Sequence, residues 1–68
     1  MKISGRNQLK ATVKEVIKGD VMAKVVLDCK GERLVSVVTV DSINELNIKP
    51  GDSIIALIKS TSVMLAKE

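Results

Sequence analysis

The sequence contains no Phe, Tyr or Trp, no His, one Cys and one Pro in 68 residues. Each scarcity removes something. Without aromatic rings, a barrel lacks the platforms on which single-stranded nucleic acid stacks. Without His, with no clustered carboxylates and with a single Cys outside any CxxC context, the usual general acids, bases and metal ligands are absent. The composition therefore argues against an enzyme and against a directly ligated metal. The lone Cys29 cannot bridge within the chain and reads as a small hydrophobe in a reducing, cytoplasmic setting. The opening MKISGR has no apolar signal core, and no apolar run nears the roughly 20 residues of a membrane span.

What is present is aliphatic: 46% of the residues are apolar. A domain this small buries only about 60% of the surface its unfolded chain exposes. With disulfides and metal not on offer, self-association is the remaining route to stability. Eleven Lys and Arg against 8 Asp and Glu give a net charge of +3. That mild basicity favours anions without the clustering of a dedicated nucleic-acid binder.

Residues 9–17, LKATVKEVI, alternate Leu9, Ala11 and Val13 with Lys10, Thr12 and Lys14, then change phase near Val16, as a bulged strand would. After the turn signal KGD at residues 18–20, residues 21–29 place Val21, Ala23, Val25, Leu27 and Cys29 on one face and Met22, Lys24, Val26 and Asp28 on the other, which completes a hairpin. A second turn, KGER, leads into the β-branched run LVSVVTV. DSINELN then shifts to helical spacing, with Asp41 or Ser42 as cap and Ser42 with Glu45 as a capping box. KPGD sets Pro50 and Gly51 for a type II turn, and SIIALIKS and SVMLAK read as strands four and five. The expected fold is all-β: a five-stranded OB-like Greek-key barrel with one short helix between strands 3 and 4, in a single domain spanning residues 1–68. An SH3-like barrel, or a half-barrel completed by a partner chain, shares this element order.

Two polar segments interrupt the aliphatic pattern. In SGRNQL, Ser4 offers a hydroxyl, Gly5 lets backbone amides approach closely, Arg6 brings a permanently charged fork of donors, and Asn7 adds an amide. In IKSTS, Lys59 stands before Ser60, Thr61 and Ser62, while Thr39 and Ser42 flank the helix start. All of these side chains can donate and none is acidic, which suits an oxyanion. A free N-terminal tail, an edge lysine that discourages strand pairing and a plain helix cap would account for the same residues without any ligand.

Taken in order, SGRNQL, KGDVMAKV, TVDSINELNIKPGD and ALIKSTSVMLA resemble the corresponding segments of the molbindins, small molybdate-binding proteins built from a Mop domain. The residue after Ser4 is Gly where many relatives have Ala. The resemblance implies an OB-like fold, a homo-hexamer arranged as a trimer of dimers, and molybdate or tungstate bound at subunit interfaces, with no role for nucleic acid or membrane. Carried onto this sequence, the oxyanion would be held by Ser4, Gly5, Arg6 and Asn7 of one subunit with Lys59 and Ser60 of its partner, completed by Thr39 and Ser42. A second site would involve the backbone around Val21, Met22 and Ala23. The short chain, with no helix-turn-helix or ATPase segment, points to storage or homeostasis. The alternative is an OB-type interaction module for nucleic acid or a protein partner.

Overall fold

A computed structural model describes residues 7–68; residues 1–6 lie outside the described part. Four strands form one antiparallel sheet: β1 (Asn7–Lys18), β2 (Met22–Cys29), β3 (Glu32–Thr39) and β4 (Ser53–Ile58), in the spatial order β3-β2-β1-β4. A helix, α1 (Val40–Leu46), joins β3 to β4, and a 3-10 turn (Ser60–Ser62) follows β4.

The phase change read in the first strand is a bulge. Val13 pairs with Leu27 and Glu15 with Val26, which leaves Lys14 as the extra residue. Inward-facing positions are therefore odd before the bulge, at Ala11 and Val13, and even after it, at Val16 opposite Val25. The extra residue also bends the strand, as a sheet curling towards a barrel requires. The β2–β3 connection is a two-residue loop in which Lys30 (φ 52°) and Gly31 (φ 89°) are both left-handed, the signature of a type I′ turn between Cys29 and Glu32.

The core is the concave face of this sheet. Ala11, Val13, Ala23, Val25 and Leu27 are buried there, with Leu34, Val38, Ile54 and Ala56 packed around them. Cys29 packs against the same cluster, half-buried, as a small hydrophobe would. Ile43 plugs the cluster from the helix; it and Val13 are each 1% exposed. Fully burying side chains of this size stabilises by about 1.5–3 kcal/mol each.

Two expectations change. The helix starts at Val40 rather than in the DSINELN run, and its N-cap is Thr39 rather than Asp41 or Ser42. The Thr39 Oγ1 accepts the Ser42 backbone N–H at 3.1 Å, which satisfies a donor that the first turn would otherwise leave unpaired. The helix ends at Asn47 in the left-handed conformation, with the Ile48 N–H donating back to the Ile43 carbonyl at 3.1 Å. The second change is at the C-terminus: SVMLAK does not form a fifth strand. Residues 63–68 carry no secondary structure and are exposed, so what the single chain builds is a curled four-stranded sheet. A strand needs a partner edge, and this tail does not lie against one. The KPGD reading holds: the Asp52 N–H donates to the Lys49 carbonyl at 3.2 Å across Pro50 and Gly51, and Gly51 has φ 93°, as a type II turn demands.

Candidate functional site

Of the residues singled out in the sequence, Ser4, Gly5 and Arg6 lie outside the described residues. The others form two groups at opposite ends of the sheet.

At one end, Asn7 opens β1 opposite Ile58, the last residue of β4, so the strand register sets it one residue from Lys59. Lys59 is in extended conformation and leads into the turn of Ser60 and its neighbours. The turn is held by its backbone, with the Ser62 N–H on the Lys59 carbonyl at 2.9 Å. Lys59, Ser60, Thr61 and Ser62 are exposed. Among the described residues their side chains make no hydrogen bond, so one ammonium and three hydroxyls face outward beside the start of β1. The register thus carries Asn7 to the start of the KSTS segment within one chain. The division of these residues between two subunits that the resemblance implies is not needed to bring Asn7 and Lys59 together.

At the other end lie Thr39 and Ser42. Their hydroxyls are 2.9 Å apart, and either can be the donor. The Thr39 Oγ1 also accepts the Ser42 amide, and whichever hydroxyl donates to the other, one O–H of the pair is left to donate outward. Thr39 pairs with Met22, and the Val40 N–H donates to the Val21 carbonyl at 2.8 Å. The Met22 carbonyl is likewise occupied, by the Gly19 N–H at 2.8 Å. Val21 and Met22 are exposed while Ala23 is buried. The second-site candidates and the helix-start hydroxyls are therefore one neighbourhood rather than two.

Lys18 belongs to this neighbourhood, and sequence reasoning missed it. It pairs with Ala23 in the β1–β2 ladder, and its Nζ donates to Asn44 Oδ1 at 3.3 Å. The signal available was the KGD turn itself, whose lysine passes for ordinary turn punctuation.

The two neighbourhoods stand at opposite ends of β1, which at about 3.3 Å per residue would span roughly 36 Å if straight. Hydrogen bonds to one anion reach about 3 Å. A single chain therefore does not join Thr39 and Ser42 to Asn7, Lys59 and Ser60; a site made of all of them has to draw on more than one copy.

Comparison with known proteins gives a consistent answer. The family model described as TOBE domain matches residues 3–65. Molybdenum-pterin-binding protein 3 of Clostridium pasteurianum is 48% identical over 66 residues, covering 96% of this chain and 97% of that protein. The structure of a molybdate-binding protein from Sporomusa ovata superposes with a TM-score of 0.95 at 55% identity, covering 98% of this chain and all of the other. The cytoplasmic molybdate-binding protein ModG, solved with molybdate bound, superposes at 0.83 with 41% identity over 88% of this chain and 43% of its own. An all-β fold with one short helix, matched along nearly its whole length by the first two of these proteins, is what the sequence motifs led us to expect, though the chain's own sheet has four strands and not five. The chain belongs to the TOBE domain family, among the molybdenum-pterin-binding proteins or molbindins.

Proposed function

We propose that this protein binds molybdate or tungstate as an intact dianion, in the cytoplasm, as a non-enzymatic store or buffer. The observation that carries the reading is the strand register that brings Asn7, the residue that follows Arg6 in sequence, opposite Ile58 and so next to Lys59 and Ser60. Neither the SGRN nor the KSTS segment contains an acidic residue. The main site consists of Ser4, Gly5, Arg6, Asn7, Lys59 and Ser60, completed by Thr39 and Ser42 of another copy in a homo-hexamer built as a trimer of dimers. The opposite-end neighbourhood of Val21, Met22 and Ala23, with Lys18, forms the second site. In the assembled protein SVMLAK supplies the fifth strand of an OB-like barrel. Relatives that bind molybdate or a molybdenum pterin support the choice of ligand.

The chemistry follows from the donor set. A tetrahedral dianion offers acceptors in every direction and is held best by N–H and O–H groups with few competing acceptors. Charge-assisted bonds from Arg6 and Lys59 are about twice as strong as neutral ones, and burial between copies strengthens them further. Phosphate retains a proton part of the time near neutral pH and needs an acceptor that these residues do not offer. Sulfate matches molybdate in shape and charge, so it is discriminated by size alone. An anion that binds only the assembled form stabilises that form by about 2.7 kcal/mol per site at a hundredfold excess over its Kd.

Calorimetric titration with molybdate, tungstate, sulfate, phosphate and a short single-stranded oligonucleotide tests the proposal. Saturable binding of the first two, with phosphate and oligonucleotide silent, is the expected pattern. Binding of the oligonucleotide with no response to molybdate would replace this reading with an OB-type interaction module.

A further inference from the structure

The helix α1 has seven residues, too few to hold a helix in place by themselves, so its seat is set by what it touches. Ile43 anchors it in the core, and the Val40 N–H donates to the Val21 carbonyl at 2.8 Å. A third tie is made by a side chain. The Lys18 Nζ donates to Asn44 Oδ1 at 3.3 Å, across 26 residues of sequence. Among the described residues it is the one side-chain hydrogen bond between residues far apart in the chain; the others join residues three apart.

Val40 and Asn44 are four residues apart and so share one face of the helix, the face seated on the β1–β2 turn. That turn is itself fixed: Lys18 pairs with Ala23 at the end of the ladder, and the Gly19 N–H donates to the Met22 carbonyl at 2.8 Å. A core plug and one backbone bond leave a short helix free to roll and tilt slightly. The tie at Asn44, a full turn beyond Val40, removes that freedom. Ser42 rides on the helix, roughly 200° around its axis from Asn44 at 3.6 residues per turn, so its hydroxyl lies on the side away from the β1–β2 turn. Thr39 belongs to β3, where pairing with Met22 fixes it whatever the helix does. Of the two hydroxyls at the helix start, only that of Ser42 depends on where the helix sits.

We infer that Asn44, held by Lys18, is a positioning residue for the oxyanion site: it fixes α1 so that the Ser42 hydroxyl is in place before the anion arrives. The inference rests on the reading above in which Ser42 completes the main site, and it adds a residue that does not itself touch the anion. Preorganisation of this kind lowers the ordering cost of binding and adds no contact. Without the tie, that cost is subtracted from the affinity. The fold loses little, because Ala suits a helix interior better than Asn and offsets the lost hydrogen bond.

The test compares molybdate affinity by calorimetry, and the denaturant midpoint of the anion-free protein, between the full-length chain and its variants. Asn44→Ala should weaken molybdate binding about two- to fivefold, the size of one hydrogen bond's net contribution, with the midpoint unchanged. Lys18→Met should lower the main-site affinity equally, and Lys18→Arg, which can still donate to Asn44, should restore it. In a Ser42→Ala background, adding Asn44→Ala should leave the affinity where it is, since the hydroxyl it positions is gone. An affinity for Asn44→Ala equal to that of the parent protein would overturn the inference and leave the anion reading standing. A loss that persists undiminished in the Ser42→Ala background, or that is matched by a fall in the midpoint, would also overturn it and confine Asn44 to a structural role. A parent protein that binds no molybdate would overturn the anion reading itself, and the inference with it.

Discussion

The two inner strands and the two outer strands of this sheet are made of the same aliphatic residues and meet different fates. On β1 and β2, Val13, Val25 and Leu27 are buried by neighbours on both sides and by Ile43 from the helix. On β3 and β4, Val35, Val37, Ile55 and Leu57 remain exposed, as do Met64 and Leu65 beyond them. Hydrophobicity does not distinguish the halves: each outer strand has one neighbouring strand, and even Leu34, Val38, Ile54 and Ala56, which pack on the core, are only partly buried. The inner half is a core that one chain completes. The outer half is a surface whose edges and side chains call for another element, and the polar donors of the KSTS turn emerge from that half.

The largest expected effect tests whether the inner half is the true core. Ile43→Ala should destabilise the fold by about 2–5 kcal/mol, the usual cost of emptying a packed aliphatic position. Leu46→Ala, three residues on in the same helix and exposed, should change stability by no more than about 0.5 kcal/mol. Denaturant midpoints at equal slope measure both. Comparable losses would mean that the helix is seated differently and that the contrast between halves is misplaced.

Next in size is the polar end of the outer half. Arg6→Ala and Lys59→Ala should each weaken molybdate binding by about 1.5–3 kcal/mol, the range for a hydrogen bond to a charged group. Neither should lower the denaturant midpoint of the anion-free protein by more than about 0.5 kcal/mol, since Lys59 is exposed. Calorimetry on the two variants decides it. An affinity that does not move on either substitution would take that end of the sheet out of the binding site.

At the junction of the halves, Thr39→Ala should cost about 1 kcal/mol, because it removes the cap of α1. Thr39→Ser should restore most of it. Ser42→Ala leaves the amide-to-Thr39 bond intact and deletes only the hydroxyl pair. A drop in molybdate affinity for Ser42→Ala without a matching drop in stability would show Ser42 acting on the anion rather than on the helix. Equal, small losses of stability in thermal melts, with affinity unchanged, would confine both hydroxyls to capping.

How much of this was legible in the sequence differs by element. The hairpins, the bulge and the Pro50–Gly51 turn were readable because their signals are local: alternation, a phase change, a residue pair that only certain backbones accept. The helix start was not, because Thr39, Asp41 and Ser42 are all capable caps and the S-x-x-E spacing from Ser42 to Glu45 favours the wrong one. Tertiary pairing of Thr39 with Met22 decides it. The fifth strand is absent from the single chain for a related reason: SVMLAK has the right side chains for a strand, but pairing is a property of two edges and is not written in either. For the site, the segments SGRN and KSTS were conspicuous as donors. That Asn7 and Lys59 stand together at one end of the sheet, while Thr39 and Ser42 sit at the other with Lys18, depends on register and could not be read from spacing.

The smallest effect tests the local rule at the turn that joins an inner strand to an outer one. Lys30 and Asn47 share the same left-handed backbone, each with φ 52°. At Asn47 the residue suits the conformation, since its short amide tolerates it; at Lys30 a long side chain occupies the first position of a type I′ turn that favours Asn before Gly. Left-handed backbone costs an ordinary L-residue roughly 1–2 kcal/mol, and asparagine recovers part of it. Lys30→Asn should therefore stabilise the protein by a few tenths of a kcal/mol and by no more than about 1 kcal/mol, read as a rise in the denaturant midpoint at unchanged slope. The gain should be the same at every protein concentration, because the turn is closed by pairing of β2 with β3 within one chain. A gain that appears only in dilute protein, or a loss at high concentration, would mean that Lys30 takes part in contacts between copies and that this hairpin is not finished by one chain alone.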